Sequence, residues 1–203
     1  LEDALNAAKA GDTIEIKAAG TYALKYKSYD EGRYWLPANL TIKGTVDGVV
    51  IGNAPAFSAS NITIENVDFV NATGSAVVFH TSGTSTFKNC DLIAPNGTHY
   101  STASGTLIFE NCAIKGSATY GISVNEGSGS VSLTNCVLAG WNSFGVSGKV
   151  TFTNCEFTNE GAYDYVVLYE NAEFTNTVFG TEVMVGAGKA DCRRGIRDDE
   201  RVL

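Results

Sequence analysis

Proline is scarce in these 203 residues, at three, and methionine occurs once. Positive charge is short as well: 14 Lys and Arg stand against 22 Asp and Glu, for a formal net charge of −8 and a pI near 4.7. That balance argues against nucleic acid, an anionic membrane surface, or a polyanion held in a broad basic groove. Arginine is thinnest in the middle. After Arg33 the next is Arg193, and through the end of the last repeat unit at residue 179 the only cations besides histidine are Lys43, Lys88, Lys115 and Lys149, so a polyuronate finds few partners there. No apolar run is long enough to span a bilayer and no signal-peptide pattern is visible. The chain opens at Leu1 without a methionine, which reads as the start of a mature or trimmed piece of something larger. Charged residues make up 18% and hydrophobic ones 44%, a balance that excludes a disordered chain and suffices for one buried core. Twenty-two glycines, with abundant Thr, Ser, Asn and Val, favour many short strands and tight turns over helices.

What is present is a repeat. TFKNCDL stands at 86–92, IFENCAI at 108–114, SLTNCVL at 132–138, TFTNCEF at 151–157 and EFTNTVF at 173–179, with a looser TIENVDF at 63–69. The asparagines of these units, Asn66, Asn89, Asn111, Asn135, Asn154 and Asn176, are 23, 22, 24, 19 and 22 residues apart. A period near 22 is too short for helical solenoids and lacks the leucine consensus of horseshoe repeats; a coil of three short strands fits it.

Within TFKNCDL the alternation predicts Phe87 inside, Lys88 outside, a corner at Asn89, Cys90 inside, Asp91 outside and Leu92 inside. A sharp bend without glycine requires a residue that tolerates left-handed backbone, and asparagine does so at low cost. Stacked one coil apart, these amides are expected to hydrogen-bond as a ladder. Cys90, Cys112, Cys136 and Cys155 then form one internal column, where a small apolar side chain packs well. A metal or redox role is the alternative, but spacings of about twenty residues match one coil and not a ligand pair. Adjacent coils do bring α-carbons within disulfide range. Cys192 lies outside the column.

The opening LEDALNAAKAGDTIEIKAAGTYA reads as a short amphipathic helix with Ala4, Leu5 and Ala8 on one face, then a turn at Gly11-Asp12 and a strand over 13–17. Such a helix caps the exposed strand edge of a coil stack. This opening, with NLTIKG at 39–44, resembles the first coils of the right-handed parallel β-helix, pectin-lyase-like superfamily, over roughly residues 1–180. The resemblance implies an all-β fold: a single right-handed parallel β-helix, a solenoid of about 22-residue coils with a short N-terminal capping helix. The expected division is 1–189 for the β-helix, with cap 1–12, and 190–203, ADCRRGIRDDERVL, for a charged C-terminal tail.

Enzymes of that superfamily carry catalytic groups on the outer face of one stacked sheet. Here the strand after the corner loop includes SAVVFH, YGISVN, FGVSG and YVVLYE. With Tyr120, Ile122 and Val124 inside, Gly121, Ser123 and Asn125 point out, as do Gly145 and Ser147 in the next coil, and this surface reads as bland. The resemblance would bring the calcium-binding aspartates and catalytic arginine of pectate lyases, or the N-T-D, D-D, H-G and R-I-K motifs of polygalacturonases. Asp198-Asp199 is the one D-D pair, His80 is followed by Thr81, and Thr41-Ile42-Lys43 lacks the arginine. Neither a lyase's base with charge stabilisation nor a hydrolase's spaced carboxylate pair is apparent. His80, His99 and Tyr100 could meet on neighbouring coils for proton transfer, or be two surface histidines of no special role. Tyr120, Phe144 and Tyr163, each nine residues past its corner, read as an internal aromatic stack in preference to a sugar-stacking strip.

The segment ALKYKSYDEGRYWLP departs from the repeat and reads as a loop beside the first coil, gathering Tyr22, Tyr26, Tyr29, Tyr34 and Trp35 with Asp30, Glu31 and Arg33. Tyr29, Arg33, Tyr34 and Trp35 are the candidate ligand-binding residues, a possible carbohydrate patch, against the alternative of rings packed on the coil. The F-x-x-N units are also similar to repeats of adhesin-like bacterial β-helices. The expectation is therefore a non-catalytic module of a secreted or cell-surface protein, bacterial in type, adhesin-like or a stalk, that binds a glycan or a partner protein without cofactor or metal. The alternatives are a polysaccharide lyase or glycoside hydrolase of the superfamily, or a truncated relic of one, and a phage tail-fibre module that would be trimeric. Four N-x-T sequons, at Asn39, Asn61, Asn71 and Asn96, arise easily in so Asn- and Thr-rich a chain.

Overall fold

The computed structural model describes residues 1–25, 33–53, 55–125, 129–160, 164–168, 172–180, 182–185 and 190–193. Each coil contributes one strand to each of three parallel, in-register sheets, as a period of about 22 residues with two tight corners and one loop dictates. The first sheet stacks Thr13–Ile16, Thr41–Gly44, Thr63–Glu65, the second halves of Val78–Lys88 and Thr98–Glu110, then Ser130–Thr134, Val150–Thr153, Ala172–Thr175 and Ala190–Arg193. The second stacks Gly20–Ala23, Val49–Gly52, Phe69–Val70, Asp91–Ile93, the starts of Ala113–Asn125 and Val137–Gly145, Glu156–Phe157 and Val178–Phe179. The third stacks Tyr34–Trp35, Ala56–Ser60, the starts of Val78–Lys88 and Thr98–Glu110, the ends of Ala113–Asn125 and Val137–Gly145, Tyr165–Leu168 and Glu182–Val185.

The chain turns from first to second sheet at the repeat asparagines, all six in left-handed backbone with φ between 48° and 55°. Their amides form the ladder: Nδ2 of Asn111, Asn135, Asn154 and Asn176 each donates to Oδ1 of the asparagine one coil earlier, at 3.0, 3.0, 3.1 and 2.8 Å. At the first of the six corners Asn66 donates instead to the Gly44 and Val46 carbonyls, each at 3.1 Å. Gly44 has no Cβ because the Asn66 carbonyl occupies that space.

One residue past each corner the side chain enters the lumen. Cys90, Cys112, Cys136 and Cys155 are buried free thiols. The sulfurs do more than fill space. Cys112, Cys136 and Cys155 each donate at 3.5 Å to a main-chain carbonyl of the coil before, those of Phe87, Phe109 and Leu133. In the next coil Thr177 takes the position, and its Oγ1 donates to the Phe152 carbonyl at 3.4 Å. The column is thus a row of small donors, of which cysteine is the most apolar. Hydrogen bonding to the Cys112 thiol, then burial, push the Cys136 thiol up to about 12.

Between the columns, like aromatics stack coil over coil. Phe57 lies on Phe79 at 5.1 Å, Phe87 on Phe109 at 5.1 Å, and Phe152 on Phe174 at 4.8 Å. Helix α1, Glu2–Ala7, closes the first end and buries Leu5 on it. Outside, the first sheet carries a column of alternating sign: Glu15, Lys43, Glu65, Lys88 and Glu110 are register partners in turn, followed by Thr134, Thr153 and Thr175. Within it Lys43 meets Glu65 at 3.1 Å and Lys88 meets Glu110 at 2.9 Å.

Candidate functional site

The outer face of the third sheet is where the structure departs from the sequence reading. Ile122 and Val124 are in the core as expected, and the row between them is on the outer side of the strands: Val78, His99, Ser123, Ser143 and Val167 are successive register partners, of which Ser123 and Ser143 are buried. A second outward row begins with Trp35, Ser58 and His80, and the backbone register continues it through positions 101 and 125 to Gly145.

Tyr120 was expected inside with Phe144, but its partner in the next coil is Trp141, three residues before Phe144 and on the outer side of the strand. The register shifts between Lys115 and Tyr120 and again between Tyr120 and Ser123. These irregularities reverse the parity that a count of nine residues from the corner assumes. Gly116 permits the doubling back, since the Tyr120 carbonyl occupies the space where its Cβ would stand. Phe144 itself is internal and meets Phe152 edge-on at 5.2 Å; Tyr163 lies outside the described residues.

The result is a half-buried aromatic wall on a face expected to be bland. Tyr120 stacks on Trp141 at 4.7 Å and 28°, and His99 meets Tyr120 edge-on at 5.6 Å. Trp141 escaped the sequence reading because no repeat motif contains it. Tyr100, which the sequence offered as a partner for the histidines, is 1% exposed and stacks on Phe79 inside the lumen at 5.8 Å and 7°. The phenol that accompanies a histidine is therefore Tyr120. His80 and His99 sit diagonally on adjacent strands of this face, because His80 pairs with Ser101 and His99 is two residues before it.

Burial lowers the pKa of both imidazoles. For His80 the nearby Arg33 guanidinium adds to the effect, and for His99 a hydrogen bond with the Asn96 backbone opposes it. Both shifts favour the neutral ring.

At the first coil the four residues singled out as ligand-binding separate. Tyr29 lies outside the described residues, as do Tyr26, Asp30 and Glu31. Tyr34 is turned inward, 3% exposed, tilted against Phe57 at 5.8 Å, with its hydroxyl donating to Glu2 Oε1 at 3.1 Å. It therefore anchors the cap helix and is not available to a ligand. Trp35, next in the strand, must then face out, and it is 75% exposed with the Arg33 guanidinium 5.5 Å from its ring centroid. Among the described residues no three His, Cys, Asp or Glu side chains gather as a metal would require.

The face thus offers an exposed tryptophan under a guanidinium, two imidazoles, the Ser58 hydroxyl and a stacked Tyr–Trp pair. These are groups for stacking and hydrogen bonding with a neutral polar molecule.

A family model described as "Right handed beta helix region" matches residues 32–179. No curated protein matches the chain. Among solved structures, the crystal structure of pectate lyase Pel9A is similar over 94% of this chain and 72% of that one, at 14% identity and a TM-score of 0.46.

Proposed function

Because the chain belongs to the right-handed β-helix family, we propose that it is a non-catalytic module of a secreted or cell-surface protein that binds glycan on the outer face of its third sheet. The observation that supports this most is Trp35, a large apolar ring 75% exposed beside Arg33 on the same outward row as His80. Exposed aromatic rings with hydroxyl and imidazole neighbours suit the apolar faces and hydroxyls of a pyranose. A carboxylate pair of the kind a glycoside hydrolase needs does not stand among the described side chains of the two outward rows. No helix among the described residues is long and apolar enough to cross a membrane.

The test is retention of the chain on a panel of insoluble and gel-immobilised polysaccharides, with reducing ends and unsaturated products followed in the same tubes. Retention without products, lost in Trp35→Ala, is expected. Catalytic product formation would replace this reading with the polysaccharide lyase or hydrolase alternative, and retention on none of the glycans would move the search to a protein partner.

A further inference from the structure

We propose that the internal cysteine column binds soft, closed-shell monovalent cations, of which copper(I) is the biological member, one ion in each gap between successive sulfurs. This site is independent of glycan binding. Packing alone does not call for cysteine here: Val67 and Thr177 hold the same position in the coils before and after the column and are buried as well. Four thiols nevertheless follow one another, Cys90, Cys112, Cys136 and Cys155, in coils paired in register. All four adopt one orientation. Each sulfur lies 3.1–3.5 Å from the carbonyl two residues earlier, those of Lys88, Glu110, Thr134 and Thr153. Each also lies 3.5–3.7 Å from a carbonyl of the coil before, those of Ile64, Phe87, Phe109 and Leu133. The same side-chain geometry in parallel coils repeats the sulfur at the strand spacing, about 4.8 Å. A first-row metal–thiolate bond is about 2.3 Å long, so a linear sulfur–metal–sulfur unit spans about 4.6 Å. The two lengths match. Neighbouring thiols already interact, since a hydrogen bond to the next thiol is the foremost influence on the acidity of Cys112, Cys136 and Cys155.

The donors select the ion. Two sulfurs in line within an apolar lumen suit a soft ion that takes two ligands, whereas among the described residues no three His, Cys, Asp or Glu gather for a zinc-type site. Each ion displaces one thiol proton to solvent, so an ion in every gap, with one thiol still protonated, leaves the column neutral as burial demands. Beside the first gap stands the Tyr100 hydroxyl, which is 1% exposed and has no hydrogen-bond partner among the described residues. It is close enough to Cys112 and Cys90 to feel their charge, a further donor at hand for the ion between them. The column is sealed in the lumen, so the ions enter as the chain folds.

The experiment uses the full chain with Cys192→Ser, so that the column holds its only cysteines. The chain is unfolded in urea and refolded without air or thiol reductant in excess silver(I) nitrate, a redox-inert member of the same ion class. Loose metal is removed by gel filtration, and bound metal per folded chain is counted by mass spectrometry. About three ions are expected for four sulfurs in line, about two for Cys155→Thr, which shortens the column at its end, and about one for Cys136→Thr, which breaks it. Thr177 shows that threonine fits this position, and each variant keeps the other column thiols. The urea midpoint should rise with the count, because an ion bound only by the folded chain stabilises it. Equal counts in the two variants would mean binding thiol by thiol and would overturn the column site. No retained metal would overturn it as well, and so would metal retained only by chains whose far-ultraviolet spectrum is not native.

Discussion

Each corner asparagine satisfies two demands at once, and they can be separated. Asn135 holds φ at 54°, donates to Asn111 and accepts from Asn154. Asn135→Ala should lower stability by about 2 kcal/mol, from left-handed strain and lost hydrogen bonds together. Asn135→Gly should recover the backbone share, and urea midpoints of the two variants measure the split. The residue after the corner answers to a different constraint. Cys90, Cys112, Cys136 and Cys155 are buried, and the Cys112 and Cys136 thiols are both raised to about 12, so they should resist a disulfide reagent at pH 8 until the chain unfolds. Peptide mapping after brief labelling, with and without urea, checks this. Thr177 shows that the position accepts a hydroxyl, so Cys136→Thr should cost less than Cys136→Leu, which overfills the column by about 1–3 kcal/mol.

Among the elements, the first sheet is the best specified, since its outer column pairs opposite charges from Glu15 to Glu110 while its inner column pairs Phe87 with Phe109. A slip of one coil along that column would place like charges together, so the column favours the native register as well as adding ion pairs. Lys88→Glu would set three carboxylates in a row with Glu65 and Glu110. Its urea midpoint should fall at low salt and return toward wild type at high salt, because exposed charges are screened. The third sheet is specified differently. Its strand Ala113–Asn125 contains the two register shifts that turn Tyr120 outward. That loss of regularity is what assembles the aromatic wall with Trp141 and His99.

At the scale of the whole molecule, stability should depend on pH through the chain's only two histidines. Burial depresses both imidazoles, so below about pH 6.5 the unfolded chain binds more protons than the folded one and stability falls as pH drops. Asp68 works the other way lower down, because burial raises its carboxyl and the folded form then holds the proton better. Urea midpoints at pH 7.5 and 5.5 should differ for wild type, and the difference should shrink in a His80→Gln, His99→Gln variant. The sequence by itself determined the period, the corners and the inward columns. Left-handed backbone at Asn89 and period-two alternation around it are local properties, and six copies make them unmistakable. The cap was legible for the same reason, as an apolar helix face ahead of the first strand. What faces solvent on the third sheet was decided only by the tertiary structure. Tyr34 turned inward once its strand paired with Phe57, Tyr120 turned outward once its strand took up extra residues, and the charge column formed once register set each lysine beside a glutamate. Each depends on which residues of separate coils come to lie side by side, and alternation within one strand contains no information on that.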